Sequence, residues 1–82
     1  MILVDVYVPS VDETYDFVLD EMIETEKIIM EIYEMVNKKL NSSTAEGTDA
    51  FLLYHMTGEK LLERERTLAE SGVRDGSRLM LV

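Results

Sequence analysis

Near Thr25 the apolar residues of this chain change their spacing from two to about four, and no other sequence feature restricts the available folds so much. Before it, Ile2, Val4, Val6 and Val8 alternate with Leu3, Asp5 and Tyr7, the period of a strand with one β-branched face. Pro9 ends that run, Ser10 to Glu13 supply turn chemistry, and Tyr15, Phe17 and Leu19 alternate with Asp16, Val18 and Asp20, which predicts a hairpin. After the change, Ile28, Ile32, Val36 and Leu40 recur four apart, joined by Ile29, Tyr33 and Met35, so an amphipathic helix is predicted. Thr25 is the expected N-cap. Acidic residues near the start and Lys38 and Lys39 near the end match the helix dipole. Two strands are not stable alone, so the hydrophobic stripe of the helix must meet a larger sheet.

The remainder supplies that sheet. Residues 41–49 are polar and turn-rich and read as a loop; residues 50–56 are an apolar strand candidate, Thr57 to Lys60 a turn, and Leu61 with Leu62 a short strand. Residues 67–72 read as a short helical turn stopped by Gly72, Arg74-Asp75-Gly76-Ser77 as a tight turn, and residues 78–82 as a last strand with Leu79 and Leu81 on one face. The expected class is α+β, a mixed sheet packed on one helix. The expected core is Val4, Val6, Tyr15, Phe17, Leu19, Ile28, Ile32, Val36, Leu68, Val73, Leu79 and Leu81. At 82 residues there is room for one core, hence a single domain over residues 1–82, and with no cysteine the fold rests on packing alone.

Residues 62–82, LERERTLAESGVRDGSRLMLV, carry a sharper signal. The leucine of a short strand (Leu62), the Thr67-Leu68 pair opening a turn, a loop residue Val73 and the alternating Leu79 and Leu81 resemble the closing half of ubiquitin-like domains. The phrase from Thr67 to Gly76 resembles the YukD-like family and the ubiquitin-like domains of type VII secretion channel subunits. The resemblance implies a ubiquitin-like β-grasp fold and a non-enzymatic adaptor or regulatory subunit that binds membrane or ATPase subunits of a secretion apparatus. Ubiquitin and its conjugated relatives end in an extended Gly-Gly tail, whereas this sequence closes on Val82 in the last strand. A covalent modifier or sulfur carrier is therefore the disfavoured alternative.

Charge and chemistry narrow the classes further. The formal charge is −9, and between Asp12 and Glu34 nine acids face only Lys27, so phosphate backbones and anionic lipids would be repelled. No nucleic acid is expected as a partner. Residues 1–8 do not form a signal peptide and no apolar run reaches membrane-spanning length, so no direct membrane insertion and a cytoplasmic address are expected. His55 is the single histidine, without a cysteine or a partnered nucleophile, and the early acids lack calcium-loop spacing, so no catalytic residue, cofactor or metal is expected. Met22, Met30 and Met35 read as core filling, with a pliable binding groove as the alternative. What remains is surface. If Val4 and Val6 point inward, Leu3, Tyr7, Val18 and Met80 point out, with Leu53 and His55 joining them in one register of the third strand. These six residues are the candidate protein-binding face, and a homodimer through the same face stays open. The plainer reading is that scattered apolar residues are normal on surfaces.

Overall fold

The computed structural model describes residues 1–39 and 51–82. Its elements are β1 (Ile2–Val8), β2 (Glu13–Leu19), α1 (Thr25–Lys39), β3 (Leu53–His55), β4 (Lys60–Leu61) and β5 (Arg78–Leu81). Leu40, the expected loop at 41–49 and Ala50 lie outside the described residues. The five strands form one sheet in the order β2-β1-β5-β3-β4, with β1 and β5 parallel and the other neighbours antiparallel.

Strand alternation builds the core as the sequence implies. Ile2, Val4, Val6 and Val8 of β1, Phe17 and Leu19 of β2, and Leu79 and Leu81 of β5 are buried against Ile28, Ile29, Ile32 and Val36 of α1. Leu62, Leu68 and Val73 join them from the loops. Tyr15, placed in the core by its alternation, is only half-buried at the margin, edge-on to Phe17 at a centroid distance of 6.4 Å. The three methionines are not core filling: Met22, Met30 and Met35 are 68%, 45% and 42% exposed. The helix buries a contiguous stripe of isoleucines instead. Met30 falls about 200° round the helix from Ile28, and Met35 lies beyond the Ile28 edge of the stripe.

Thr25 does not cap its own helix. The first intrahelical bond runs from the Ile28 N–H to the Glu24 carbonyl, while the Thr25 amide (2.9 Å) and hydroxyl (2.7 Å) both donate to the Arg66 carbonyl, and the Glu26 amide donates to Arg64 O. The first two amides of the helix, which it cannot satisfy internally, are met by a distant loop rather than by a local side chain, while the Lys27 amide turns back to the Glu24 carbonyl at 3.0 Å. Thr25 is fully buried as a result and ties α1 to the segment preceding residue 67.

That following segment is a single turn closed at both ends. The Thr67 amide donates to Glu70 Oε1 (3.0 Å) and the Glu70 amide to Thr67 Oγ1 (3.1 Å), a reciprocal capping box. At the other end Val73 N–H reaches Leu68 O and Gly72 N–H reaches Ala69 O, the paired bonds of a Schellman ending, with Gly72 at φ 81° and Leu68 and Val73 both buried. Thr67→Ala is expected to cost about 1 kcal/mol in urea unfolding. The hydrogen bonds from Thr67 hold the Glu70 carboxyl below its ordinary pKa. Its contribution is therefore complete above its unfolded pKa of about 4.3 and is lost as pH falls through the lower folded value.

The next turn anchors the sheet centre. Ser77 N–H closes onto Arg74 O, Gly76 sits at φ 85°, Asp75 Oδ1 accepts from the Leu3 amide at 2.8 Å, and Gly76 N–H donates to Leu3 O at 2.7 Å. These bonds extend the contact between β1 and the segment leading into β5, so the parallel register is held at its start.

A candidate protein-binding face on the outer sheet

Among the described residues no helix is long and apolar enough to cross a membrane, and no group of three His, Cys, Asp or Glu side chains is arranged to hold a metal ion. The clefts are shallow, about 250 to 380 Å³. The most extensive chemical feature is the face of the sheet turned away from α1.

The strand pairings sort that face into rows. Thr14, Tyr7, Met80, Tyr54 and Leu61 stand side by side across all five strands, since Tyr7 pairs with both Thr14 and Met80, and Tyr54 with both Met80 and Leu61. Val82 and Leu52 exchange both backbone hydrogen bonds one row further along. The neighbouring row on the other side is charged: Asp16 of β2 pairs with Asp5 of β1, and Asp5 in turn with Arg78 of β5. Beyond it Val18 pairs with Leu3, both exposed. The face thus holds one large apolar band and a smaller apolar pair, divided by charge.

Of the six residues expected here, Leu3, Val18, Tyr7 and Met80 do face outward, the last two half-buried among their neighbours. Leu53 and His55 do not. They are 0% and 5% exposed on the core side of β3, because the antiparallel pairing sets Leu53 opposite Leu81 and His55 opposite Leu79. Tyr54 takes the outward place. The residues 52–56, Leu-Leu-Tyr-His-Met, are apolar enough on both faces to fit either register, so alternation carries no signal there. Tyr54 and its neighbour Leu61 join the face for reasons that no local pattern announces.

The electrostatics of the face are specific at one point. The Tyr7 hydroxyl donates to Asp12 Oδ1 at 2.7 Å, and this bond to the carboxylate raises the phenol pKa above its usual value. Tyr7 is thereby fixed to the β1–β2 turn, where Asp12 adopts a left-handed φ of 51°. His55, by contrast, has both ring nitrogens buried without a hydrogen-bond partner among the described residues. It faces the core, away from the outer surface.

Residues 2–81 match the family model described as WXG100 protein secretion system (Wss), protein YukD. The chain belongs to the YukD family. No curated protein matches the sequence significantly. Among solved structures, the EccD5 ubiquitin-like domain from Mycobacterium xenopi is similar at a TM-score of 0.76 and 24% identity, covering 99% of this chain and 91% of that one. The ubiquitin-like domain of an Arabidopsis thaliana protein is similar at a TM-score of 0.72 and 20% identity, covering 99% and 74%. At these identities the likeness concerns the fold, which is the ubiquitin-like β-grasp expected from residues 62–82. The phrase that points to the YukD family, residues 67–76, is the doubly capped turn and the Asp75-Gly76 clamp on Leu3: its recognisable residues make the fold rather than the binding face.

Proposed function

We propose that this YukD-family protein is a non-enzymatic, cytoplasmic adaptor or regulatory subunit of a type VII secretion system, acting as one ubiquitin-like unit over residues 1–82. It binds membrane or ATPase subunits of the apparatus noncovalently through the outer sheet face. The observation that carries this reading is the apolar band of Tyr7, Met80, Tyr54 and Leu61, aligned in register across four strands in a family tied to a secretion system. Contiguous exposed apolar surface with a polar rim is the usual form of a protein contact, and buried aromatic residues carry most of the energy of such contacts.

The test is affinity capture from native cytoplasm and solubilised membranes with the wild-type protein and with Tyr54→Glu/Met80→Glu, under mild and denaturing washes. Secretion subunits recovered by the wild type under mild washing only, and held at least about thirtyfold less tightly by the variant, are the expected result. Thermal unfolding of the variant should stay cooperative. Partners that survive denaturation would mean covalent attachment, and equal capture by the variant would remove the outer face from the reading.

A further inference from the structure

We infer that the apolar band of the outer face seats one amphipathic helix of the partner, lying across the strands from β1 to β4. This deepens the reading that the outer face binds a protein, and rests on it. The band has two rows. Tyr7, Met80, Tyr54 and Leu61 form the longer one on four neighbouring strands, and Val82 and Leu52 lie one row along from Met80 and Tyr54. Leu61 and Val82 are 51% and 44% exposed, and the other four are half-buried. With strands about 4.8 Å apart and like-facing residues about 6.8 Å apart along a strand, these positions span about 14 Å by about 7 Å. Three turns of helix are about 16 Å long and about 10–12 Å wide with side chains. Apolar residues at i, i+3, i+7 and i+10 stand about 4.5, 10.5 and 15 Å along the helix from the first, close to the steps of about 4.8, 9.6 and 14.4 Å between strands. One stripe of such a helix therefore meets one strand per turn.

Main-chain chemistry selects a helix over an extended segment. β1, β5 and β3 each lie between two neighbours, so the main-chain groups beneath the band are taken up by the ladder. An extended segment laid on them would bury its own N–H and C=O groups unpaired, whereas a helix satisfies its own internally. The inner face of the same sheet takes α1 in this way, through Ile28, Ile29, Ile32 and Val36. A second copy stacked face to face fits poorly. Two rows on four strands cover on the order of 250 Å², about a third of the roughly 800 Å² that each partner contributes to a standard stable interface. A second sheet would therefore also have to cover the neighbouring row, where Arg78 Nε and Asp5 Oδ2 lie 4.0 Å apart with side chains 72% and 42% exposed. Taking those ions out of water costs more than so long a contact returns. A helix centred between the apolar rows reaches about 5–6 Å to either side, while the charged row stands about 10 Å away, so both ions stay in solvent.

The probe is a capped peptide of alanine, lysine and leucine with its leucines at i, i+3, i+7 and i+10, and the control is an isomer of the same composition with its leucines spread around the helix. In two-dimensional amide NMR spectra of the isolated, isotope-labelled protein, the striped peptide is expected to shift the Tyr7, Tyr54, Leu61, Met80 and Val82 signals, and circular dichroism should show it gaining helix as it binds. The isomer should bind at least about tenfold more weakly. Both carry the same lysines, so attraction to the acidic chain cancels in that ratio. Tyr54→Ser/Met80→Ser, which adds no charge, is expected to weaken the striped peptide at least about tenfold, while Leu3→Ser, beyond the charged row, should leave it unchanged. Equal binding of the two peptides, a bound peptide without helix, shifts centred elsewhere, or no shifts at all would each overturn the helix seat. So would movement of the same signals with protein concentration alone, which would assign the band to a second copy. Because the titration needs no secretion subunit, striped-peptide binding alongside failed affinity capture would sink the adaptor reading alone. Successful capture without peptide binding would sink the helix seat alone.

Discussion

Leu79→Ala is expected to lower the unfolding free energy by about 2–5 kcal/mol, while Met80→Ser, one residue along the same strand, should change it by less than about 1 kcal/mol. Leu79 is fully buried in β5, opposite Val6 of β1 and His55 of β3, so alanine would leave a void where three strands meet. Met80 points to the opposite face and is only half-buried. A domain of this length has a total stability on the order of 5–10 kcal/mol, so the alanine variant should lose a large share of it. Its melting temperature should drop by at least about 10 °C. Urea unfolding followed by circular dichroism measures both variants. A reversed order, with Met80→Ser the more damaging, would mean that the sheet faces are assigned the wrong way round.

Lowering the pH from neutrality should destabilise the protein before its carboxylates begin to protonate, and His55→Phe should abolish that early loss. His55 is buried with both ring nitrogens lacking partners among the described residues, and its ring lies so close to Gly58 that a methyl group there would come within 2.8 Å of Nδ1. Burial pushes the imidazole pKa below its ordinary value, and the Lys60 cation across β3–β4 adds to the shift. The unfolded chain then binds a proton more readily than the folded one. Stability is complete above the unfolded pKa of about 6.5 and declines as pH falls from there to the lower folded value. Each buried polar atom left without a partner costs roughly 1–3 kcal/mol, so the phenylalanine variant should also unfold at higher urea at neutral pH. Urea midpoints of both proteins between neutrality and the onset of carboxylate protonation decide the matter: parallel curves would mean that His55 titrates freely in the folded state.

These two residues also mark where the sequence is readable and where it is not. Simple alternation with Arg78 and Met80 places Leu79 in the core, and the structure agrees. The outward expectation for His55 and Leu53 fails because residues 52–56 contain no strongly polar position to break the symmetry between faces. Thr25 illustrates a different limit. Its type and position suit an N-cap, yet its hydroxyl reaches a carbonyl 41 residues away, a partner that no local pattern reveals.

By itself the sequence determined the class of fold, the two strands of the hairpin, the single helix and, through residues 67–76, the YukD family. Each of these is encoded by contacts between residues close in the chain: period-two and period-four burial, reciprocal caps and glycines at positive φ. Only the tertiary structure decided the register of β3, the exposure of Met22, Met30 and Met35, and the joining of Tyr7, Met80, Tyr54 and Leu61 into one band. The register and the band depend on which strand lies beside which, and the methionines on which stripe of α1 the sheet takes up. The pairing between β1 and β5 joins opposite ends of the chain, Asp5 with Arg78, and is fixed by how the whole core packs, not by the residues on either side.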